Sequence, residues 1–461
     1  MRNIENKKRL ILENKNMYKS IIILALPIFL SNMLKSIHSF VDAFFVSPLG
    51  DYPFAAIIVT NPIISITQAL AIGFMIAGGA IMSQSLGAKN VQKAKRTAGQ
   101  LLTLCIICGI IFNIILYTMA PMVTKAIGAE GETLRLGIQY VRIRSFEMIP
   151  LFAFYAFLAS RQASGDTITP VIFDVVAILT NILLTGYFVK VLGQGLAGAA
   201  IATVIANYII MPVFLWMMFK DKKAEVTITL KEMKLTKVDT KQILSLGLPS
   251  ALSQAFSSLG FLIINALILS YGAATVSGFG IGNSINNFVL MPAMGVGGSI
   301  ATFVGQNIGA KNPKRAKESV KCAMILTLII MIIGGAILLP IRRQVGMIFP
   351  GRSAESLEVG VEYMFFLFTS LPLMAIFQVF MGAYQGAGYT IFSLLLASFR
   401  LWGMRIPLVF MYRDGFNLDS TCIMYAMVIS NFGAAILGLI LYKFVKFDKR
   451  IVLREEEPQL V

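Results

Sequence analysis

"LALPIFLSN" at residues 24–32 returns as "LGLPSALSQ" at 246–254, and "SQSLGAKNVQKAKR" at 83–96 returns as "GQNIGAKNPKRAKE" at 305–318. Pro150 returns as Pro372, so all three matches share one spacing of 222 residues. "ASGDT" at 163–167 is echoed by "GAGYT" at 386–390, one residue later. One such match arises by chance in apolar sequence of low complexity; four in order at nearly constant spacing indicate a duplicated unit.

The unit is a set of membrane spans. Of 461 residues 57% are apolar and 14% charged, whereas a soluble chain carries roughly a quarter charged residues. Apolar runs fall near 20–45, 54–82, 98–119, 134–160, 170–190 and 196–219. They resume near 241–270, 275–304, 319–339, 357–383, 390–411 and 420–443. Most are long enough to cross roughly 30 Å of hydrocarbon at about 1.5 Å per residue. Six spans per copy is an even number, which predicts halves of the same orientation, related by an axis along the membrane normal. The expected fold is an all-α polytopic membrane protein of twelve transmembrane helices in two parallel-repeat six-helix bundles. Residues 1–219 form the N-terminal lobe, 220–240 a cytoplasmic linker, and 241–461 the C-terminal lobe with a charged cytoplasmic tail. Within the linker, a short amphipathic helix or a strand-like stretch at 226–230 is open.

A net charge of +17 would suggest nucleic acid in a soluble chain. Placing the N-terminus in the cytoplasm instead gives the inner loops about four times the Lys and Arg of the outer ones, which predicts both termini inside a cell membrane. The basic charge is then topological, with no nucleic-acid partner. The first apolar run is too long for a signal h-region and lacks a cleavage site. Cys105, Cys108, Cys322 and Cys422 lie in apolar runs and read as buried thiols, and the single histidine, His38, excludes a multi-histidine metal site. "GAKN" follows no strand and lacks the P-loop pattern, so both copies read as helix terminators. No nucleophile–base cluster marks an enzyme, and no cofactor is expected.

Ionisable groups at membrane depth are the candidate functional residues, because burying their charge in hydrocarbon is expensive. Lys35, His38 and Asp42 fall on one helical stripe, with about 10 Å between Lys35 and Asp42 along the axis. Lys35 either satisfies a carboxylate or acts as a built-in cation competing with an external one; both readings stand. His38 is a core histidine or a relay. Glu147 either joins Asp42 in a cavity or pairs with Arg144 or Arg142. Asn181 lies seven residues after Asp174, Thr185 continues that stripe, and Asn181 can orient a carboxylate or bind a cation. Asp174, one turn past Pro170, reads as interfacial. Arg400 either anchors its lobe or attracts an anion. Pro27 and Pro249 mark helix bends for gating.

These residues resemble the multidrug and toxic compound extrusion family, in its prokaryotic, damage-inducible-protein-like branch. The resemblance rests on Pro27 with "SFVDAFFVSPLG" ending at Gly50, "SQSLGAKN", "YVRIRS" from Tyr140, "ASGDTITP", Asn181, and the second copy with "GAG" at Gly386 and "RIPL" at Arg405. It implies a V-shaped transporter that exports amphipathic, often cationic organic compounds by alternating access as protons or sodium ions enter, expected to be monomeric. Aspartates of the first and fifth helices would line its N-lobe cavity. Asp42 matches the first; Thr185 stands where the second is expected, and Glu147 is a possible substitute. The alternative reading is a flippase or exporter of a lipid-linked or polar precursor with different coupling.

Overall fold

The structure, a computed structural model, describes residues 10–221, 223–348, 353–449 and 451, with only the backbone for 38–40, 42 and 43. It is helical throughout the spans. In the first half lie α1 (Met17–Val46), α2 (Asp51–Gly87), α3 (Val91–Ala126), α4 (Gly131–Ser145), α5 (Met148–Ala163), α6 (Ile168–Gly186) and α7 (Gly195–Lys220). The second half has α8 (Lys237–Leu269), α9 (Ala273–Gly309), α10 (Pro313–Leu338), the short α11 (Arg342–Met347) and α12 (Ala354–Ala387). It ends with α13 (Thr390–Ser398), α14 (Ile406–Phe410) and α15 (Thr421–Phe444). The π-helical segment Phe399–Arg405 joins α13 to α14, and a second, Met411–Gly415, extends α14, so that Thr390–Gly415 is one span. Eleven helices among the described residues can cross a membrane, and α4 with α5, bent by 47°, completes twelve. Their outer faces carry Ile114, Leu183, Trp216, Ile337 and Leu439, each more than half exposed. Water would not tolerate that much contiguous apolar surface; lipid does.

The bend has a local cause. Pro150 cannot donate to the carbonyl four residues back, at Phe146, and the helix breaks at Phe146–Glu147. Pro372, its repeat partner, lies inside the unbroken α12, so the copies differ at this point.

The two "GAKN" loops are helix stops followed by helix starts. Lys89 and Lys311 take left-handed backbone conformations, with φ of 61° and 57°. Behind them the N–H of Asn90 bonds to Ser85 O at 2.9 Å and that of Asn312 to Asn307 O at 2.9 Å, which closes each helix by a Schellman turn. The same asparagines cap the next helices, accepting from Lys93 N at 2.9 Å and Arg315 N at 3.1 Å.

The halves meet at these loops, and each contact occurs twice. A methyl on Gly87 would overlap the carbonyl oxygen of Gln306, and one on Gly309 that of Gln84. Gln84 Nε2 donates to Gly386 O at 3.1 Å, and Gln306 Nε2 to Ala163 O at 2.7 Å. Lys93 Nζ lies 2.6 Å from Asp239 Oδ1 at the start of α8, buried, with Gln100 Nε2 donating to the other carboxylate oxygen at 2.8 Å. Arg315, the repeat partner of Lys93, donates to the carbonyls of Ile11 and Asn14 just ahead of α1, at 3.2 and 2.8 Å. Equivalent residues touching at one common end require halves that run parallel, because an inverted repeat would send them to opposite ends. Ile451 spans the same closure. Its N–H donates to Gln84 Oε1 at 2.9 Å, its carbonyl accepts from Gln242 Nε2 at 3.1 Å, and its side chain packs on Gly388.

Helices α1 and α8 each change partner along their length. Met17, Ile21 and Leu24 are buried in the second half's core, while Ser31 and Lys35, beyond Pro27, reach the first half. In mirror fashion Ile243 is buried in the first half's core, while Ser253 and Gly260, beyond Pro249, meet Ser393 and Leu401 of the second. The connector 221–236 forms neither helix nor strand among its described residues, which settles both structures entertained for it. Its apolar Val226 and Ile228 fold under the first half instead, and Met233 O accepts from Thr103 Oγ1 at 2.9 Å.

Candidate functional site

A cavity of about 450 Å³ lies inside the first bundle, walled by α1, α2 and α4 to α7. Residues four apart on a helix share a face, and α1 turns Ser31 and Lys35 together onto Asp174 of α6. The Ser31 hydroxyl donates to Asp174 Oδ2, and Lys35 Nζ stands 3.7 Å from the same oxygen. Asp174 is 10% exposed and Lys35 45%, so the carboxylate is sheltered while its counter-cation reaches into open space. One helical face of α7 serves two more groups. Thr203 Oγ1 accepts from Asn181 Nδ2 at 3.0 Å, and Asn207 Nδ2 donates to Glu147 Oε1 at 3.2 Å. Glu147 caps the bend between α4 and α5, with its Oε2 2.7 Å from Arg144 Nη2. Tyr140, Tyr155, Asn61 and Gln68 complete the polar wall.

Lys35, Glu147 and Asn181 therefore line one cavity. Thr185 does not: it is fully buried, and its hydroxyl has no hydrogen-bond partner among the described residues. The side chains of Asp42 and His38 lie outside the described residues. Asp174 corrects the interfacial reading. Depth counted in turns from a loop holds only if helices start in one plane, and they do not. Ser31 is the fifteenth residue of α1 and Asp174 the seventh of α6, an offset of roughly 12 Å along the axes, yet they bond. Glu147 meets Arg144 without leaving the cavity wall, so the two readings of that residue were not exclusive. The overlooked signal was polar residues inside apolar runs: Ser31, Asn61, Gln68, Thr203 and Asn207.

The Arg144–Glu147 pair is buried, and removing one partner of such a pair costs about 3–5 kcal/mol. Glu147→Gln keeps the size and the bond from Asn207 but deletes the charge facing Arg144. Its melting temperature in detergent is expected to fall by several degrees, while the pH profile of transport keeps its wild-type shape. A shifted profile would make Glu147 a titrating group of the transport cycle.

Among the described residues no group of three or more His, Cys, Asp or Glu could hold a metal ion. The four cysteines are free. The second bundle holds two buried arginines, Arg400 and Arg405.

The pattern of the MatE family matches residues 27–188 and 249–411, one copy in each half. The chain is 24% identical to the probable multidrug resistance protein YoeA of Bacillus subtilis, covering 86% of this chain and 87% of that one. It is also 24% identical to the probable multidrug resistance protein NorM of Thermotoga maritima, covering 95% of each. Among solved structures, the outward-facing conformation of a multidrug resistance transporter superposes with a TM-score of 0.88 at 24% identity, covering 93% of this chain and 95% of that one. Twelve spans, a parallel duplication and a match over both copies lead to one conclusion: the chain belongs to the MatE family of multidrug and toxic compound extrusion transporters, secondary transporters working by alternating access, and is not an enzyme.

Proposed function

We propose that this chain exports amphipathic organic cations from the cytoplasm in exchange for protons, with Asp174 as the coupling carboxylate and Lys35 as its internal counter-cation. The observation that carries the reading is the Lys35–Asp174 pair at the wall of the first bundle's cavity. At 3.7 Å and half exposed, Lys35 neutralises Asp174 without sealing it off. Protonation of Asp174 from outside releases Lys35; loss of that proton inward draws Lys35 back. Sodium fits this site poorly, since it needs several oxygen ligands and an ammonium repels it. Asp42, two turns beyond Lys35 on α1, is the second carboxylate of the proposal, with His38 between them, and the multidrug names of the relatives support the substrate class.

The closed end carries the basic loops, which the Lys and Arg distribution assigns to the cytoplasm. The described state is then open outward. Pro27 and Pro249 sit where α1 and α8 pass from one half to the other, and they are the proposed hinges, each lacking the N–H that would stiffen its turn.

In proteoliposomes loaded with ethidium, efflux is expected to follow an imposed pH gradient and to be indifferent to a sodium gradient at constant pH. Efflux driven by sodium alone would overturn proton coupling.

A further inference from the structure

Three sheltered bases have acidic partners. Lys93 meets Asp239, Arg144 meets Glu147, and Arg161 meets Asp166 and Asp221 at 3.7 and 3.0 Å. Arg400 and Arg405 have none among the described residues, though they are only 5% and 6% exposed. Both lie near the middle of the span Thr390–Gly415, in the π-helical segment Phe399–Arg405. The i→i+5 hydrogen bonding of a π-helix stacks residues five apart, and such segments concentrate at functional sites. Arg405 uses two donors on neutral groups, Nε to Ser430 Oγ at 2.9 Å and Nη2 to Asn431 Oδ1 at 2.8 Å. Arg400 is less well held. Its Nη1 points at Met374 Sδ at 3.2 Å, its guanidinium lies 4.1 Å above the Phe377 ring, and its buried Nε has no partner.

Arginine does not lose its proton at accessible pH, so two like charges occupy one turn inside the membrane. Neutral dipoles and one aromatic face lower their cost without cancelling it. We propose that this pair is an anion site in the second bundle, taking a carboxylate or a phosphate, whose paired oxygens match the guanidinium fork. The thioether of Met374 stands where an oxygen of that ligand would sit. Methionine is unbranched and a weak acceptor, so it can swing aside. The two bundles then differ in sign: the first balances its cavity bases, Lys35 and Arg144, with its own acids Asp174 and Glu147, and the second borrows its counter-charge from a ligand. The inference does not depend on proton coupling in the first bundle. A substrate that carries an acidic group as well as a cationic one would engage both bundles.

The site has a built-in reporter. The chain has two tryptophans. Trp402 lies two residues from Arg400 with its Nε1 on Phe256 O at 2.8 Å, and Trp216 faces outward from α7. In a Trp216→Phe background, in nanodiscs of phosphatidylcholine, Trp402 emission would be titrated with sodium acetate and with inorganic phosphate, the bulky sulfonate HEPES holding ionic strength constant. A parallel arm replaces part of the lipid with phosphatidylglycerol. A saturable change is expected in at least one arm: acetate or phosphate identifies a soluble anion, phosphatidylglycerol alone a lipid headgroup. Arg400→Gln should abolish the change, and Arg400→Lys, which keeps the charge but loses the fork, should weaken binding about tenfold. If Arg400→Gln does not fold, Arg400→Lys decides. No saturable change in any arm, an undiminished one in Arg400→Gln, or equal affinity in Arg400→Lys would overturn the proposal.

Discussion

Asp174→Asn is expected to abolish pH-driven efflux, to below a tenth of wild type, in a protein that still folds and still fills the same cavity. Asparagine keeps the size and the bond to Ser31 but can neither take up nor release a proton. Lys35 then faces a neutral amide, and its ammonium repels a cationic substrate in every state. Downhill exchange of a pre-loaded cation should therefore slow as well, which separates this variant from one that merely loses the gradient. Ser31→Ala is the control: it removes a neighbour of the carboxylate and leaves its charge. It should retain pH-driven transport, because the carboxylate and its Lys35 partner remain. Wild-type efflux in Asp174→Asn would transfer coupling to Asp42.

Lys93→Ala is expected to shift the resting equilibrium toward a state open to the cytoplasm. The Lys93–Asp239 pair is buried, short and made between the halves, and breaking such a pair leaves a buried carboxylate uncompensated, at about 3–5 kcal/mol. If the pair forms only when this end is closed, the lower bound already changes the closed-to-open ratio by about a hundredfold. Arg315 makes the equivalent contact through two neutral carbonyls, so Arg315→Ala should shift the ratio less. Labelling a Ser83→Cys reporter with a membrane-impermeant thiol reagent from the cytoplasmic side reads this directly, since Ser83 is buried against Gly305. A lower melting temperature with unchanged labelling would make the pair a static strut.

The fold was legible because its signals are additive along the chain. Twelve apolar runs, most of them long enough to cross the bilayer, and four repeat matches give six spans per copy and hence parallel halves. "GAKN" was readable as a helix stop; that its glycine also abuts the opposite half's backbone was not, since no local pattern records what a residue meets in the other half of the chain. The site was half legible. Lys35, Glu147 and Asn181 announced themselves as polar groups in lipid, but their pairing depends on how far each helix slides along its neighbours. That slide hid the bond between Lys35 and Asp174 and made Asp174 look interfacial. The π-helical turns around Arg400 have no sequence signature, because one extra residue in a turn is set by packing and not by propensity.

Ile451 holds Gln84 and Gln242 through its own backbone, one from each half. No substitution at position 451 except proline can delete the N–H that Gln84 accepts, and none deletes the carbonyl. Mutagenesis is therefore nearly blind to this tie, whereas shortening the chain behind Phe444 removes it outright. The position of the last residue, or of a purification tag or fluorescent fusion, becomes an experimental variable. Two preparations identical up to Phe444 are expected to rest at different openings and to report different apparent affinities for the same drug.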